Sequence, residues 1–301
     1  MKRIGTTIAL VVLAASVAHG QILYKISGKG LKEASYIIGT YHLAPASYAD
    51  SVPGLRQAMA DCRQVYGEVD IMDAIKPENK AKVEAMQYLP EGKTLASVLT
   101  SEQLGKLNGL LREVVGKDLN NEAVAAQMGR LTPAALSSSL TLIAYMKETP
   151  NLDPTKLLDG YFQQEALAQG KKVGGFETLE FQMDVLYGAP LEDQIKALMC
   201  LVENFQETVD MSELVAAAYF GQSLEDLEDL TAEESDGACG SSPEEEDKLI
   251  YNRNANWAKA MPKIMAADPT LFAVGAAHLC GEKGVLALLK EQGYTVEPVK
   301  K

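Results

Sequence analysis

Hydrophobic and polar positions near the start of this 301-residue chain predict strands with a helix between them. Apolar and polar residues alternate over 21–28, and a short apolar run follows at 35–38, as in the strands of a sheet. Apolar residues then recur at helical spacing from Leu55, and 64–70 has strand character again. Strand, helix and strand within about 35 residues form a βαβ unit, which implies a parallel pair of strands joined by a right-handed crossover.

The end of the chain repeats this pattern, whereas the middle is predicted to be helical. A strand that includes 273–275 precedes a helix at 281–292 and a strand at 294–299. From about 77 to about 170 apolar residues recur at helical spacing, and 171–178 returns to strand character. We therefore expect an α/β fold: a central, mostly parallel sheet from N- and C-terminal βαβ halves, with a large helical insertion at about 77–170.

The N-terminus has the pattern of a cleaved export signal. Met1-Lys2-Arg3 supplies positive charge, 4–17 are apolar or small, and Ala18 and Gly20 provide the small residues that a signal peptidase reads. The apolar run is short for a membrane span, and no later stretch is long and apolar enough for one. We expect residues 1–20 to be removed on export and 21–301 to form one α/β domain of a periplasmic or secreted protein. An uncleaved N-terminal anchor is the alternative.

The charge of the chain excludes two classes of partner. The formal net charge is −13, and it becomes −15 once Lys2 and Arg3 of the predicted signal are removed. Nucleic acid and anionic lipid surfaces would repel such a chain, so neither is an expected partner. Much of the acidity lies in a segment at about 224–247, which its polar and Gly/Ser-rich sequence predicts to be a solvated loop. The sequence leaves the oligomeric state open.

Four cysteines lie outside the predicted signal: Cys62, Cys200, Cys239 and Cys280. None of them has CxxC spacing, which argues against a zinc ribbon or a thioredoxin-type motif. Paired cysteines suit the oxidising space that an exported protein meets, and three pairings are possible. A Cys239–Cys280 bridge could fix a loop near the site proposed below. A thiolate ligand at Cys280 is the alternative.

Two short sequences of the Gly-x-x-His-Leu type are the clearest functional signal in the chain. Gly39–Leu43 and Gly275–Leu279 each follow an apolar run typical of a buried strand. Of the three histidines, His19 lies in the predicted signal, so the mature chain would contain only His42 and His278. At average composition, a glycine three positions before and a leucine directly after each of the two histidines would occur by chance on the order of once in ten thousand.

The two histidines and the glutamates that end other strands predict a metal site. Parallel strands bind ligands at their carboxyl edge, where His42, His278, Glu68 and Glu177 would all emerge. Two imidazoles with carboxylates suit Zn, Mn, Fe or Co with a position left for water, whose proton a glutamate can accept. The alternatives are that strand-end histidines only make structural hydrogen bonds, and that Arg253, in a helix predicted at about 243–267, is a surface charge.

Other chemistries lack their motifs. The sequence contains no GxSxG, no GxxxxGK[ST], no GxGxxG after a strand and no HExxH. A serine hydrolase, a nucleotide-binding protein and a zincin are therefore not indicated.

The chain resembles the TraB/GumN (also TraB/PrgY/GumN) family, which is similar to the Tiki metalloproteases and more distantly to erythromycin esterase and ChaN-like proteins. The stretches that carry the resemblance are Ile38–Leu43, Gly67–Asp70, Leu158–Asp159 through Lys171, Gly175–Gln182, Arg253–Asn254 with Trp257, and Val274–Leu279 through Val296. The resemblance implies an α/β fold with a helical insertion and a metal-dependent hydrolase site. It implies that His42 and His278 are metal ligands or catalytic residues and that Glu68, Glu177 and Arg253 complete the site. Cys280 and the acidic loop around Cys239 depart from the family pattern.

We therefore expect an exported hydrolase that uses a divalent ion (Mn, Co or Zn), specifically a metallopeptidase, with a peptide or a small molecule as substrate. His42 and His278 would hold the ion with one glutamate, the other glutamate would be the general base, and Arg253 would stabilise an oxyanion. A haem-, iron- or peptide-binding envelope protein without catalysis is the alternative, with Tyr41 and His42 as possible haem ligands. A catalytically inactive scaffold is the third possibility.

Overall fold

The computed structural model describes residues 21–300, and six strands of this range form one sheet in the order β4-β3-β5-β2-β1-β6. The strands are β1 Leu23–Ser27, β2 Ser35–Thr40, β3 Gln64–Val69, β4 Lys172–Glu177, β5 Thr270–Gly275 and β6 Thr295–Pro298. Strands β2, β5, β3 and β4 pair in parallel, whereas β1 pairs antiparallel with both β2 and β6. The predicted α/β class and the mostly parallel sheet are confirmed.

The two βαβ units interleave instead of lying side by side. β2 and β3 run in the same direction, as predicted, but β5 from the end of the chain lies between them. Both β2 and β5 are buried along their whole length. Continuous apolar strands of this kind are typical of parallel strands that are covered on both faces. The interleaving brings the two Gly-x-x-His sequences onto neighbouring strands.

The helices are α1 Leu55–Asp61, α2 Ile71–Ala74, α3 Pro77–Gln87, α4 Leu95–Val98, α5 Ser101–Val114, α6 Glu122–Met128, α7 Pro133–Glu148, α8 Leu158–Ala168, α9 Leu179–Tyr187, α10 Leu191–Glu203, α11 Phe205–Phe220, α12 Leu224–Asp236, α13 Pro243–Glu246, α14 Asn252–Ala267 and α15 Val285–Glu291. A π-helical turn at Asp247–Tyr251 precedes α14, and 3-10 turns lie at Ala46–Ser51 and Ala276–Leu279.

Helices cover both faces of the sheet. Phe176 of β4 stacks on Trp257 of α14 and on Phe272 of β5, with ring centroids 5.2 Å and 5.4 Å apart. On the other face α8 lies so close to β3 that a β-carbon on Gly67 would come within 2.3 Å of Gln163 Nε2. This close approach explains the glycine in β3, and it fixes the first turn of α8 next to the ends of the strands.

The helices between β3 and β4 have an apolar core of their own. Leucines of α4, α5, α7 and α10 pack together there, away from the sheet: Leu95, Leu107, Leu111, Leu136, Leu140 and Leu198. In contrast, Leu158, Phe162 and Ala166 of α8 pack in the core of the sheet. The helical character expected for about 77–170 is present, with α8 as the helix that leads back to β4.

The acidic segment is mostly helical, so the prediction of a loop at about 224–247 was wrong. Helix α12 occupies Leu224–Asp236, and its Leu224 and Leu227 are buried in the same apolar core as the strands of the sheet. These leucines, with Leu230, recur at helical spacing among the acidic residues, which keeps one face of the helix apolar. The irregular stretch is confined to about 237–242.

A disulfide joins Cys200 of α10 to Cys239. The pairing of Cys239 with Cys280 that the sequence suggested was therefore wrong. Cys62 and Cys280 are free thiols. Burial raises the pKa of the Cys280 thiol to about 12, and its Sγ contacts the carbonyl oxygens of Ala276 and Leu224. Cys280 is therefore a protonated thiol in this arrangement.

No helix between residues 21 and 300 is both long enough and apolar enough to cross a bilayer. The export signal expected at 1–20 lies outside the described residues.

Candidate functional site

The two Gly-x-x-His sequences meet at the carboxyl edge of the sheet. Thr40 of β2 is paired with Gly275 of β5, so the residues that follow the two strands leave the sheet side by side. A β-carbon on Gly275 would lie 3.4 Å from His278 Cδ2 and 3.9 Å from His42 Nε2. The fold thus brings together two histidines that are separated by most of the chain.

Glu68 lies beside this pair of histidines. Its Oε1 accepts a hydrogen bond from the Gly275 amide at 2.9 Å, and its Oε2 accepts from Gln182 Nε2 at 2.8 Å and Arg253 Nη2 at 2.7 Å. Burial alone would raise the pKa of Glu68, but the charge of the Arg253 guanidinium and the hydrogen bond from the Gly275 amide hold the pKa below its usual range. The carboxylate is therefore ionised at neutral pH.

Arg253 is buried at the centre of the site and is not a surface charge. Its Nε donates to both oxygens of Glu177, at 2.9 Å and 3.1 Å, and its Nη2 donates to Glu177 Oε2 at 2.9 Å as well as to Glu68. Its Nη1 donates to the Leu249 carbonyl oxygen at 2.9 Å and to His278 Nε2 at 3.2 Å. The five N–H groups of the guanidinium are therefore all used.

Glu177, at the end of β4, uses both of its carboxylate oxygens to bind Arg253. Besides its contacts with Arg253, Oε1 accepts a hydrogen bond from Trp257 Nε1 at 2.9 Å. The guanidinium carbon lies 4.9 Å from the centre of the Trp257 ring, so the same tryptophan also stacks against the charge. Glu177 and Trp257 together fix the position of Arg253.

His278 is buried, and its protonation is determined by its neighbours. Its Nδ1 lies 2.7 Å from Asn254 Oδ1, and Asn254 Nδ2 donates to the Lys283 carbonyl oxygen at 3.0 Å. The amide oxygen of Asn254 therefore faces the ring, so Nδ1 carries the hydrogen and Nε2 is the acceptor. Burial, helped by the charge of Arg253, lowers the pKa of His278 to about 4. The ring is neutral at pH 7.

His42 has the opposite environment. Its side chain is 72% exposed, and its Nδ1 lies 2.6 Å from Oδ2 of Asp159 in the first turn of α8. The hydrogen bond with Asp159 raises the pKa of His42 to about 9, although desolvation acts in the other direction. Burial would raise the pKa of Asp159, but the contact with His42 holds it below its usual range. His42 and Asp159 are thus an ion pair at neutral pH.

A family model described as the TraB/PrgY/gumN family matches residues 22–298 of this sequence. The chain belongs to the TraB/PrgY/gumN family. The resemblance that the sequence motifs indicated is therefore confirmed.

Curated relatives of this TraB/PrgY/gumN chain are named as metalloproteases. It is 26% identical to Metalloprotease TIKI2 of Danio rerio over 310 residues, which is 87% of this chain and 58% of the relative. It is 25% identical to Metalloprotease TIKI1 of Homo sapiens over 314 residues, covering 87% and 59%. It is 24% identical to the Metalloprotease TIKI homolog of Amphimedon queenslandica over 306 residues, covering 87% and 58%. The chain thus spans less than two thirds of the length of these relatives, and no solved structure matches it.

The donor atoms around Gly275 are of the types that bind a divalent metal. A β-carbon there would lie 3.4 Å from Glu68 Oε1, 3.9 Å from His42 Nε2 and 3.4 Å from His278 Cδ2, the ring carbon bonded to Nε2, so a carboxylate and both imidazoles surround a space that the missing side chain leaves open. This set fits Mn, Co or Zn. However, His278 Nε2 is 3.8 Å from Glu68 Oε1, and between residues 21 and 300 no three such side chains already form a metal cluster. The donors fit the ion, but they must move closer together to bind it.

Sequence reasoning missed the partners that orient these donors. Asp159 and Asn254 each hold the Nδ1 side of one imidazole, and Gln182 holds Glu68. All three lie within stretches that carried the family resemblance, and Asn254 directly follows Arg253. Nothing in the local pattern identifies them, because Asp159 is 117 positions from its histidine. Their position follows only from the way α8, α9 and α14 pack on the sheet.

Tyr41, beside His42, is part of an aromatic cluster. Its ring centroid lies 6.0 Å from that of Tyr145, 5.6 Å from that of Tyr219 and 6.3 Å from that of Phe220. Burial raises the pKa of the Tyr41 phenol, so the hydroxyl keeps its proton. This arrangement gives no support to Tyr41 as a tyrosinate ligand of haem iron. The cluster instead forms an apolar wall beside His42.

Proposed function

We propose that this chain is an exported, metal-dependent hydrolase that cleaves peptide bonds, with residues 21–301 as its catalytic domain. The observation that carries the proposal is the convergence of His42, His278 and Glu68 around Gly275 at the carboxyl edge of the sheet. The names of the curated relatives support the reaction class. The Cys200–Cys239 disulfide supports an oxidising compartment, as expected after export.

His42 Nε2, His278 Nε2 and Glu68 Oε1 are the atoms that would hold the ion. A divalent ion in such a site supplies a Lewis acid that lowers the pKa of water and polarises a carbonyl group. Asp159 and Asn254 orient the two imidazoles from their Nδ1 side, so that each ring presents Nε2 to the centre. Partners of this kind fix the tautomer and direction of histidine ligands in metal sites.

Glu68 and Glu177 have different roles in this proposal. Glu68 faces the histidines and is ionised, so its carboxylate can bind a cation or accept a proton from water. Glu177 can do neither without losing its contacts with Arg253 and Trp257. We therefore assign Glu68 to the reaction centre and Glu177 to the positioning of Arg253.

Arg253 provides the positive charge for the reaction. Its guanidinium is fixed beside the histidines by two carboxylates, so it need not reorganise when negative charge develops on a substrate oxygen. A buried, preoriented charge of this type stabilises a tetrahedral oxyanion more than an exposed one. The wall formed by Tyr41 and its aromatic neighbours would contact apolar side chains of a peptide.

Hydrolysis of a peptide library tests the proposal. The protein is stripped with a chelator and supplied with Mn, Co or Zn, and cleavage is followed by mass spectrometry. We expect cleavage to stop with the chelator, to return with a metal, and to fall by at least about a hundredfold in Glu68→Gln. Glu180→Gln is the matched control, because the Glu180 side chain is 72% exposed and makes only a surface ion pair with Lys82. Cleavage that persists without metal, or an unaltered Glu68→Gln variant, would contradict the proposal.

A further inference from the structure

The contact between Arg253 and His278 has a consequence for metal binding. Arg253 Nη1 donates to His278 Nε2 at 3.2 Å, and this nitrogen is the one that the ring presents to the centre of the site. Since Nδ1 is already bonded to Asn254, the ring has no second free nitrogen to offer. A cation and Arg253 therefore require the same lone pair.

The alternative tautomer is not available to relieve this competition. Asn254 Nδ2 is committed to the Lys283 carbonyl oxygen at 3.0 Å, and Asn254 is fully buried. Turning the amide around would leave its nitrogen facing the imidazole and the Lys283 oxygen without its donor, which is costly for buried groups. His278 therefore keeps Nε2 as its acceptor.

Arg253 can give up this contact without leaving the site. Its bonds to Glu177 and Glu68 are made by Nε and Nη2, whereas the bond to His278 is made by Nη1. The guanidinium is planar, so Nη1 separates from the imidazole by a small tilt of the whole group or of the ring. The stronger charge-assisted bonds to the two carboxylates, and the bond from Nη1 to the Leu249 carbonyl oxygen, can be kept in such a shift. Repulsion between the guanidinium and a cation on Nε2 acts in the same direction.

We infer that Arg253 and the divalent ion compete for His278 Nε2, so that Arg253 sets the metal affinity of the site; this inference rests on the proposed metal dependence. When the ion binds, Nη1 is released from the imidazole and becomes a donor for a substrate oxygen. Metal binding and the availability of Arg253 Nη1 as a hydrogen-bond donor are thereby coupled. By reciprocity, a substrate oxygen that takes Nη1 away from His278 strengthens metal binding.

Arg253→Lys separates the competition from the effect of charge. Lysine keeps a positive charge near Glu68 and Glu177, but it lacks the planar fork that reaches His278 at the same time. We expect this variant to bind Co²⁺ about tenfold more tightly than the wild type, as measured by titration of the visible cobalt absorption. Equal or weaker binding by a folded Arg253→Lys protein would overturn the inference.

His278→Ala is the control that locates the effect. If Arg253 competes for this imidazole, the gain from Arg253→Lys disappears in the His278→Ala background. A gain of the same size in both backgrounds would show a general effect on cations and would overturn the inference.

The unaltered protein provides a second measurement in case a variant does not fold. Nitrogen NMR of the imidazole and guanidinium groups is recorded while Zn²⁺ is added. We expect the His278 Nε2 and Arg253 signals to change together. A change in His278 with Arg253 unaltered would contradict the competition.

The outcomes separate this inference from the proposed function. Cobalt that binds equally to the wild type and to Arg253→Lys contradicts only the competition. Failure of both proteins to bind cobalt contradicts the metal dependence itself, and the competition with it.

Discussion

The two histidines occupy the same five-residue context and yet have opposite environments. His42 is 72% exposed and paired with a carboxylate, which raises its pKa to about 9. His278 is 5% exposed, bonded to an amide and an arginine, and has a pKa of about 4. The Gly-x-x-His sequence thus fixes where an imidazole leaves the sheet. The chemistry of the imidazole is determined by residues from α8 and α14 that the motif does not contain.

Replacing each histidine with alanine should show the largest difference between the two environments. His278→Ala leaves Asn254 Oδ1 and one N–H of Arg253 Nη1 without a partner in a buried place, so we expect a loss of about 2–4 kcal/mol in the free energy of unfolding. His42→Ala removes an exposed side chain together with its ion pair to Asp159, and we expect a smaller loss of about 0.5–1 kcal/mol. Urea unfolding of both variants measures the difference. Equal losses in the free energy of unfolding would show that the difference in burial does not affect stability.

Exchanging the partners should move the two pKa values toward one another. Asp159→Asn removes the carboxylate from His42, and we expect its pKa to fall from about 9 to near the ordinary value of about 6.5. Asn254→Asp places a carboxylate on His278, and we expect its pKa to rise above about 4. NMR titration of the imidazoles measures both values, and His42 and His278 are the only histidines after residue 20. An unchanged pKa of His42 in Asp159→Asn would contradict Asp159 as the cause of its raised pKa. An unchanged pKa of His278 in Asn254→Asp would contradict the close contact between these two side chains.

The free energy of unfolding should fall in two pH ranges, one for each histidine: an alkaline limb due to His42 and an acid limb due to His278. The folded-state pKa of His42 is raised, so its contribution is present below about pH 6.5 and is lost as pH rises toward about 9. The folded-state pKa of His278 is lowered, so its contribution is present above about pH 6.5 and is lost as pH falls toward about 4.

Asp159→Asn tests this division, since it should flatten the alkaline limb. The acid limb should keep the contribution of His278, although Asp159, whose pKa is lowered, also contributes to that limb. Urea midpoints between pH 4 and pH 9 measure both limbs. An alkaline limb that is unchanged in the variant would contradict the role given to the His42–Asp159 pair.

Metal binding should release a proton from His42 but not from His278. A ligand imidazole must be neutral, and His42 is protonated below about pH 9 whereas His278 is not. We therefore expect metal affinity to increase as pH rises from about 6.5 to about 9, by no more than tenfold for each pH unit. Calorimetry in buffers of different ionisation enthalpy counts the released protons. Affinity that is independent of pH would exclude His42 as a ligand with this pKa.

The sequence predicted the parts of the site that depend on strand ends. His42 and His278 follow strands, and Glu68 and Glu177 lie at the ends of strands; parallel strands bring such residues to one edge. The sequence could not predict which strands would be neighbours. β5 lies between β2 and β3 because of packing across the whole chain, and this placement makes the two histidines adjacent.

The predictions that failed depend on tertiary contacts in the same way. The acidic segment was expected to be a loop because its charge dominates the local pattern, whereas the burial of Leu224 and Leu227 makes it a helix. That helix ends near Cys239 and brings it to Cys200, which local spacing could not reveal. The surface alternative for Arg253 was excluded only by Glu177 and Trp257, which come from other elements.

The central claim is that the two unlike histidines bind the same ion. X-ray absorption of the cobalt-loaded protein tests it most directly, because multiple scattering counts the imidazoles bound to the metal. We expect two imidazoles in the wild type and one in either His42→Ala or His278→Ala, with the Glu180→Gln control identical to the wild type. A wild-type spectrum with fewer than two imidazoles, or one that neither substitution changes, would contradict the account.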